Sequence, residues 1–285
     1  MTLARPLSAA QFEIWLAQKL DPDSPPHSCA AYVDIPGAID VALFERALRY
    51  VVDELETLHI QIIEDDEGPK QNFASLKHWS LTFVDMTGEP NPFAAASAWM
   101  QSELGRPMNL ALGPLFAFAL FKLGGDRFVC FWRIHHIAVD GATSLLIARD
   151  VALIYTALMR GQALAKPQID GLLSLLLDDW DYRHSKRFED DQAFWLGYLA
   201  DWSEPQMLAG KSAPASPSPL RHSTTLSHLD GDAFDQAAAA LGVAWPQLAI
   251  AAIAGYVHRM TGGENVALSL VLTGRSPKTR RAAGM

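Results

Sequence analysis

FVCFWRIHHIAVDG, residues Phe128–Gly141, begins as a run of aromatic and β-branched residues and ends in two histidines, an aspartate and a glycine. The apolar run predicts a buried strand. Because successive side chains of a strand point to opposite faces, only one of His135 and His136 can face a given cleft. Gly141 permits a turn where a Cβ would be costly, and residues 142–158 predict a helix. We therefore expect a strand, a tight loop that carries histidine and aspartate, and a helix.

The histidines of this loop are compatible with three roles: a structural residue, a metal ligand or a proton carrier. A histidine at the end of an apolar strand is most often a core or rim residue whose hydrogen bonds are satisfied. Imidazole and carboxylate are also ordinary zinc ligands, but adjacent histidines on a strand diverge, and no further His, Cys or Asp cluster lies nearby in sequence. One histidine can instead act as a base or proton carrier near neutral pH, with Asp140 holding the loop in shape.

Composition and charge narrow the classes to which the protein can belong. Its 285 residues exceed a typical single core and predict one large lobe or two smaller lobes. The net charge of −9 argues against a nucleic-acid partner, which would require a basic face. The N-terminus lacks the apolar segment of a signal peptide, and no apolar run is long enough to span a bilayer, which predicts a cytoplasmic protein without a membrane partner. Cys29 and Cys130 lie in strand-like runs, so we expect buried, free thiols.

The rest of the chain is predicted to alternate between helices and strands, because its apolar residues recur at helical or strand spacing. Helices are expected at 8–20, 40–55, 93–104, 171–199, 230–241 and 246–260, the last of them buried. Strands are expected at 28–35, 58–63, 81–85, 116–123, 223–229 and 266–272. The turn at 124–126 should join the preceding strand to the His-His strand as a hairpin. Residues 203–219 are rich in Pro, Ser and Ala and predict a linker.

Five motifs, taken in chain order, resemble those of the condensation domains of nonribosomal peptide synthetases, which are chloramphenicol acetyltransferase-like acyltransferases. His-His-x-x-x-Asp-Gly after an apolar strand is the most specific of them. The others are Ser8, Ala10, Gln11 and Trp15 for the first motif, Asp53–His59 for the second, Asp179–Tyr182 with Phe194 and Trp195 for the fourth, and Thr273–Arg275 for the fifth. The second motif is matched only in part, because His59 stands where the family usually has arginine.

The resemblance implies an α/β (α+β) fold, a two-lobed chloramphenicol acetyltransferase-like sandwich. Residues 1–177 would form the N-terminal lobe with the HHxxxDG motif, and residues 178–285 a connecting helix, a linker and the first part of the C-terminal lobe. The first lobe would be complete and the second partial, since the family's domain continues well beyond the position of Met285. We therefore expect a truncated domain with exposed strand edges and apolar helix faces.

The resemblance also implies a reaction and its residues. An acyl thioester on the phosphopantetheine arm of a donor carrier protein and an aminoacyl thioester on a peptidyl acceptor carrier would meet at His136 and form an amide. His136 would accept the amine proton or orient the amine. Asp140 would be structural, through an ion pair with Arg275, and Gly141 would let the arm or the backbone approach closely. His135 would pack against the scaffold or hydrogen-bond to it.

Cofactor and partner expectations follow from the same resemblance. No bound cofactor or metal is implied, because the substrates travel on phosphopantetheine arms, and an adenylation domain is expected if the chain is part of a longer one. The first motif begins seven residues after Met1, so the donor carrier is expected in trans. The N-terminal half is similar to the condensation domain that opens enterobactin-type siderophore synthetases, which implies an aryl acid on an aryl carrier as the donor.

Two other functions remain open. One is a free-standing acyltransferase that acts on a small alcohol or a coenzyme A thioester, and the other is a non-catalytic docking platform for carrier proteins. An epimerisation domain shares the motif but normally follows a carrier on the same chain, and a heterocyclisation domain replaces the histidine pair with aspartate. The intact His136 and Asp140 favour an enzyme over a platform, whereas the expected truncation favours the platform.

Overall fold

The structure, a computed structural model, describes residues 4–21, 27–74, 76, 79–202, 208–209 and 224–285. The chain divides into two compact units, Met1–Phe188 with Thr273–Met285, and Glu189–Leu272. These bounds differ from those of the predicted lobes, because the segment from Thr273 onward belongs to the first unit. The division into lobes stays a prediction.

The first unit alternates strands and helices along the chain. Its strands are β1 Arg5–Pro6, β2 Ser28–Pro36, β3 Ile60–Asp65, β4 Gly68–Phe73, β5 Thr82–Asp85, β6 Phe116–Gly124 and β7 Arg127–His135. Its helices are α1 Ala9–Leu20, α2 Val41–Glu54, α3 Pro92–Leu104, α4 Gly141–Met159 and α5 Leu173–Arg183. β3 begins later than predicted because Glu56–His59 form a turn of 3-10 helix.

The sheet that carries the His-His stretch has the strand order β2-β7-β6-β5. β7 pairs antiparallel with β2 and with β6, which confirms the predicted hairpin, and β5 pairs parallel with β6. A second sheet has the order β1-β4-β3. Because β7 has a partner on each side, His135 at its end is held in a fixed register opposite Ser28.

Alternate residues of β7 enter two apolar cores, one on each face of the sheet. Trp132 and Ile134 belong to the larger core, which also holds apolar residues of α2 and α4. Val129 and Phe131 belong to the smaller core, together with residues of α3. The strand is thus buried on both faces, which explains why its sequence is a nearly continuous apolar run.

Capping side chains place the first two helices as predicted. Ser8 Oγ accepts a hydrogen bond from the Gln11 N–H, and the Gln11 side chain accepts one from the Ser8 N–H, which completes a capping box at the start of α1. Asp40 caps α2 by accepting a hydrogen bond from the Leu43 N–H.

The helix predicted at 171–199 is interrupted. α5 ends at Arg183, and α6 covers Lys186–Tyr198. Ser185 lies between them, and its Oγ accepts a hydrogen bond from the Phe188 N–H, which starts a new helix. Neither helix buries a residue, and the aromatic residues of the fourth motif are largely exposed; Trp180, for example, is 52% exposed.

The second unit contains most of α6 together with α7, His228–Leu241, and α8, Trp245–Thr261. α7 begins two residues earlier than predicted, because Ser227 caps it: the Ser227 side chain accepts a hydrogen bond from the Asp230 N–H. α8 was expected to be buried, but it buries no residue, and its Tyr256 is 57% exposed. An apolar sequence favours burial of a helix, but the helix is buried only where another element packs against it.

The two strands predicted in the second unit do not form in its described part. Residues 224–227 and 262–272 have neither helix nor strand, and Ser223 lies outside the described residues. A strand requires neighbours for its backbone hydrogen bonds, and no paired strand lies within the described residues of 189–272. Val271 is accordingly 93% exposed.

Helix α4 corrects the expectation that no segment could span a bilayer. Its 19 residues are long and apolar enough by length and composition, and α7 with α8 would qualify only as a single span bent by 98°. α4 nonetheless buries one side, including Ile147, Val151 and Asp150, in the first unit. A core helix of a soluble protein passes the same test, and this burial accounts for the apolar composition of α4.

Candidate active site at the His-Asp loop

β7 leads directly into the His-Asp loop, and α4 begins where the loop ends. A turn over His136–Ala138 follows the strand, and Asp140 precedes the first residue of α4. The His136 N–H donates to the His27 carbonyl at 2.7 Å, which extends the pairing with β2 by one residue. The Ala138 N–H donates back to the His135 carbonyl at 2.9 Å. The strand, tight loop and helix predicted from the sequence are therefore present.

Three side chains hold three successive carbonyl groups of this loop. The pairs are Gln11 Nε2 with Ile137 O at 3.0 Å, Thr57 Oγ1 with Ala138 O, and Cys29 Sγ with Val139 O at 3.8 Å. Gln11 and Thr57 are buried, so water cannot replace their hydrogen bonds at low cost. Both residues lie in the first and second sequence motifs, which thus act on the backbone of the loop.

A buried amide pair connects Gln11 to the second sheet. Gln11 Nε2 lies 3.2 Å from Gln71 Oε1, and Gln71 Nε2 lies 3.0 Å from Gln11 Oε1. Gln71 also donates to the Pro6 carbonyl at 2.8 Å. Loss of either side chain would leave a buried polar group without its partner. In the sequence, Gln71 is a polar residue in a short strand, which is only a weak signal of a special role. Nothing in the sequence indicates that Gln71 lies at this site.

His135 is fully buried at the end of β7. Its Nε2 lies 3.0 Å from Gln18 Oε1, and its Nδ1 accepts a hydrogen bond from the Ile137 N–H at 3.1 Å. These contacts fit a neutral ring with its proton on Nε2. Burial, and then the neighbouring His27 and His136, lower the pKa of His135 from 6.5 to about 3. His135 is thus held in the scaffold at physiological pH.

The buried His135 makes the stability of the first unit depend on pH. Its pKa is 6.5 when exposed and about 3 when folded. Between these pH values the unfolded chain binds a proton that the folded chain does not, so the free energy of unfolding falls as the pH falls, by up to about 1.4 kcal/mol per pH unit. The stabilisation is complete above pH 6.5 and is lost progressively towards pH 3.

Denaturant unfolding of the wild type and of His135→Gln checks this prediction. Glutamine keeps hydrogen-bonding groups but does not titrate, so the stability advantage of the wild type over the variant should shrink between about pH 7.5 and about pH 5. An advantage that is the same at both pH values would contradict it.

His136 is half-buried, in contrast to its neighbour. Its Nδ1 lies 3.1 Å from Sδ of Met285, and within the described part of the chain its Nε2 makes no hydrogen bond. A thioether sulfur is only a weak acceptor. Of the two histidines, His136 is therefore the one with a ring nitrogen available to a substrate, and its catalytic role stays a prediction.

Asp140 and Arg275 form the ion pair that the resemblance implies. Arg275 Nη2 lies 2.8 Å from Asp140 Oδ1 and Arg275 Nε lies 3.2 Å from Oδ2, which is a bidentate arrangement. The two side chains are 5% and 18% exposed, the arginine being the less exposed. Arg275 also donates to the carbonyls of Ala282 and Gly284. The pair therefore connects the loop to the segment that follows Thr273.

Asp140 has a second role, as the N-cap of α4. Its Oδ1 accepts a hydrogen bond from the Thr143 N–H at 2.7 Å and lies 2.7 Å from Thr143 Oγ1. A carboxylate at this position also interacts favourably with the positive end of the helix dipole. An aspartate directly before an apolar helix is a cap signal, so the sequence contained this information, although only the pairing with Arg275 was expected.

Gly141 is the first residue of α4, and its φ is not positive. A Cβ built on it meets no atom within 4 Å. The expectation that a Cβ would be costly for the turn is therefore wrong, because the chain itself leaves open space beside this residue.

Cys29 and Cys130 are free, as predicted, but they are partly and not fully buried. Burial raises the pKa of the Cys130 thiol to about 12, and burial together with the Asp140 carboxylate raises that of Cys29 to about 11. Both are therefore thiols, and not the reactive thiolates, at neutral pH. Within the described ranges, no group of three or more His, Cys, Asp or Glu residues could hold a metal ion.

Comparison with known proteins agrees with this geometry. Residues 3–285 match the family described as condensation domain. A dimodular nonribosomal peptide synthase of Bacillus subtilis is 43% identical over 94% of this chain and 11% of its own length. Enterobactin synthase component F of Escherichia coli O157:H7 is 29% identical over 95% of this chain and 21% of its own length.

A solved structure shows the same fold. It is a variant of the starter condensation domain of rhizomide synthetase in complex with C8-CoA, which is 40% identical over 99% of this chain and 64% of that chain, with a TM-score of 0.90. The mixed α/β, chloramphenicol acetyltransferase-like fold is thereby confirmed. The chain spans about a tenth to a fifth of these synthetases and about two thirds of the solved domain. It belongs to the condensation domains of nonribosomal peptide synthetases.

Proposed function

We propose that this chain carries the catalytic loop of a domain that condenses an acyl thioester on a donor carrier protein with an aminoacyl thioester on an acceptor carrier protein. One observation carries the proposal: His136 is half-buried, and its Nε2 makes no hydrogen bond within the described chain, while Gln11 and Thr57 hold the next two carbonyl groups. A fixed loop that presents one imidazole with an available Nε2 suits a reaction in which two bound substrates must be aligned.

In this reaction the amine nitrogen attacks the thioester carbon, the new C–N bond forms, and the C–S bond breaks. The amine is nucleophilic only when it is unprotonated, and α-amino groups have pKa values of about 8. Alignment of the two arms can supply several kcal/mol, about 7–11 at best. His136 accepts or orients the amine proton, and that proton leaves with the donor thiol. Asp140 and Arg275 hold the loop and do not touch the substrate.

Partners and location follow from this chemistry. The substrates arrive on phosphopantetheine arms, so the domain needs no bound cofactor or metal, and its partners are a donor carrier, a peptidyl acceptor carrier and an adenylation domain. The cytoplasm is the proposed location. The enterobactin relatives support an aryl donor in siderophore synthesis, whereas the solved domain bound to C8-CoA supports an alkyl donor.

The test is condensation by the full-length protein that contains this chain. Carriers loaded with octanoyl or 2,3-dihydroxybenzoyl groups are mixed with an aminoacyl carrier, and the product on the acceptor is measured by intact mass. An acylated aminoacyl carrier supports the proposal. Transfer only to a free alcohol or to coenzyme A would instead indicate the free-standing acyltransferase, and carrier binding without any transfer would indicate the docking platform.

Replacing Gly141 with alanine should change the stability and the activity of the protein in opposite directions. Its φ is not positive, and an added Cβ meets no atom of the chain within 4 Å, so Gly141→Ala should stabilise the protein by about 0.4–1 kcal/mol. The same methyl group would narrow the space proposed for the arm, so kcat/KM should fall about tenfold or more. Thermal unfolding and the condensation assay measure the two effects. An unchanged kcat/KM would show that no substrate passes close to Gly141.

A further inference from the structure

The segment that follows Arg275 brings Met285 against the ring of His136. Sδ of Met285 lies 3.1 Å from His136 Nδ1, although the two residues are 149 positions apart in sequence. Both residues are half-buried, so water competes only in part for this contact. Which nitrogen of a neutral imidazole carries the proton depends on the hydrogen bond that the other nitrogen makes. The group on Nδ1 therefore determines what Nε2 can do for a substrate.

The backbone around Met285 is held by contacts that do not involve its side chain. Ser8 Oγ donates to the Met285 carbonyl at 2.8 Å, and Ser8 is 5% exposed. The Gly284 N–H donates to Thr143 Oγ1 at 3.2 Å, and Thr143 is fully buried. The cap of α1 and the first turn of α4 thus hold Met285 beside the loop, and a substitution of its side chain leaves these contacts in place.

Gly284 lets the segment pass close to the start of α5. Its φ of +142° lies in a region that favours glycine. A Cβ at this position would also collide with the side chain of Leu172, which is fully buried just before α5. The position of Met285 relative to the loop therefore depends on the glycine that precedes it.

The thioether sulfur of Met285 can only accept a hydrogen bond, because it has no proton of its own. The contact with His136 is therefore favourable only when Nδ1 carries a hydrogen. A neutral imidazole has a single N–H, so a proton on Nδ1 leaves Nε2 with a lone pair. This is the tautomer in which Nε2 can take a proton from an amine.

We propose that Met285 is a positioning residue that holds His136 in its Nδ1-protonated tautomer, with the Nε2 lone pair available to the amine of the acceptor substrate. The inference rests on the proposed function. As the C–N bond forms, Nε2 takes one proton from the amine, and that proton passes to the thiolate when the C–S bond breaks. The ring then has its starting protonation, so Met285 acts through the ring in every turnover.

Two substitutions of similar size separate the acceptor of Met285 from its packing. In the full-length protein, Met285→Leu keeps the apolar volume and removes the acceptor, whereas Met285→Gln keeps the length and supplies an amide oxygen. We expect kcat to fall about three- to tenfold with leucine, the contribution of one modest hydrogen bond, and to stay within about twofold of the wild type with glutamine. KM for the two carriers should change little. Met159→Leu, an exposed methionine at the end of α4, is the matched control and should change neither constant.

The tautomer is measured independently of turnover. In the full-length protein labelled with ¹⁵N at histidine, the ring signals that disappear in His136→Ala belong to His136. We expect the proton on Nδ1 in the wild type and in Met285→Gln, and a larger share on Nε2 in Met285→Leu.

The outcomes separate this inference from the proposed function. A proton on Nε2 in the wild type overturns the inference. So does a leucine variant as active as the wild type, or a glutamine variant no better than leucine, since packing alone would explain either result. A wild type that transfers no acyl group but carries its proton on Nδ1 overturns the proposed function and supports the contact with Met285.

Discussion

Replacing His136 with alanine should reduce condensation by about 10²–10⁴-fold, the usual contribution of a single group that transfers a proton in a transition state. His136 is half-buried and its ring contacts Met285 only through a weak acceptor, so the free energy of unfolding should change by no more than about 1 kcal/mol. Product formation on the acceptor carrier by intact mass, together with denaturant unfolding, measures both quantities.

A second variant, with glutamine at position 136, distinguishes proton transfer by His136 from alignment of the amine. His136→Gln keeps a hydrogen-bonding group but cannot carry a proton near neutral pH. If His136 acts as a base, glutamine should be as inactive as alanine; if it only orients the amine, glutamine should recover activity about tenfold or more. Full activity of both variants, with carrier binding retained, would exclude any role of this ring in the reaction.

Replacing Arg275 with alanine should destabilise the first unit by about 3–5 kcal/mol, because it leaves the Asp140 carboxylate partly buried without its counter-charge. The arginine side chain is 5% exposed and the carboxylate 18%, so solvent screens this pair much less than a surface pair. The variant also loses hydrogen bonds to the carbonyls of Ala282 and Gly284. Denaturant unfolding measures the loss, and condensation should decrease with it.

A double-mutant cycle isolates the ion pair from these other contacts. Arg275→Met combined with Asp140→Asn removes both charges and keeps approximate volume, so the double variant should be less destabilised than the sum of the single variants by at least about 1 kcal/mol. Arg275→Lys is the matched control, since it keeps the charge but loses the bidentate geometry. Strict additivity would mean that the two side chains do not stabilise each other.

Local signals in the sequence predicted the parts of the fold that local interactions determine. The Gly-Gly-Asp turn placed the hairpin of β6 and β7, and Ser8 and Asp40 placed the starts of α1 and α2 through hydrogen bonds made within three residues. The pairing of Arg275 with Asp140 came from the order of the motifs and not from spacing. Its geometry is observed, whereas the catalytic assignments remain to be tested.

Contacts between distant segments could not be predicted in this way. Thr57 contacts the loop, and Gln71 contacts Gln11, only because the chain places the second sheet beside the loop. No periodicity in the sequence describes that approach. The strand predicted at 266–272 failed for a related reason. An apolar run indicates that a strand would be favourable, but the strand forms only where a neighbour is available for pairing.

The bond between Asp140 and Arg275 spans 135 residues of sequence, which has a consequence during synthesis. At about 5–20 residues per second, the ribosome needs roughly 7–27 s to travel from one partner to the other. Throughout that interval the nascent chain can form the hairpin and α4, but the carboxylate that begins the helix has no arginine to neutralise it. The loop should therefore acquire its final rigidity only after Arg275 has been synthesised, later than the strand and helix on either side of it.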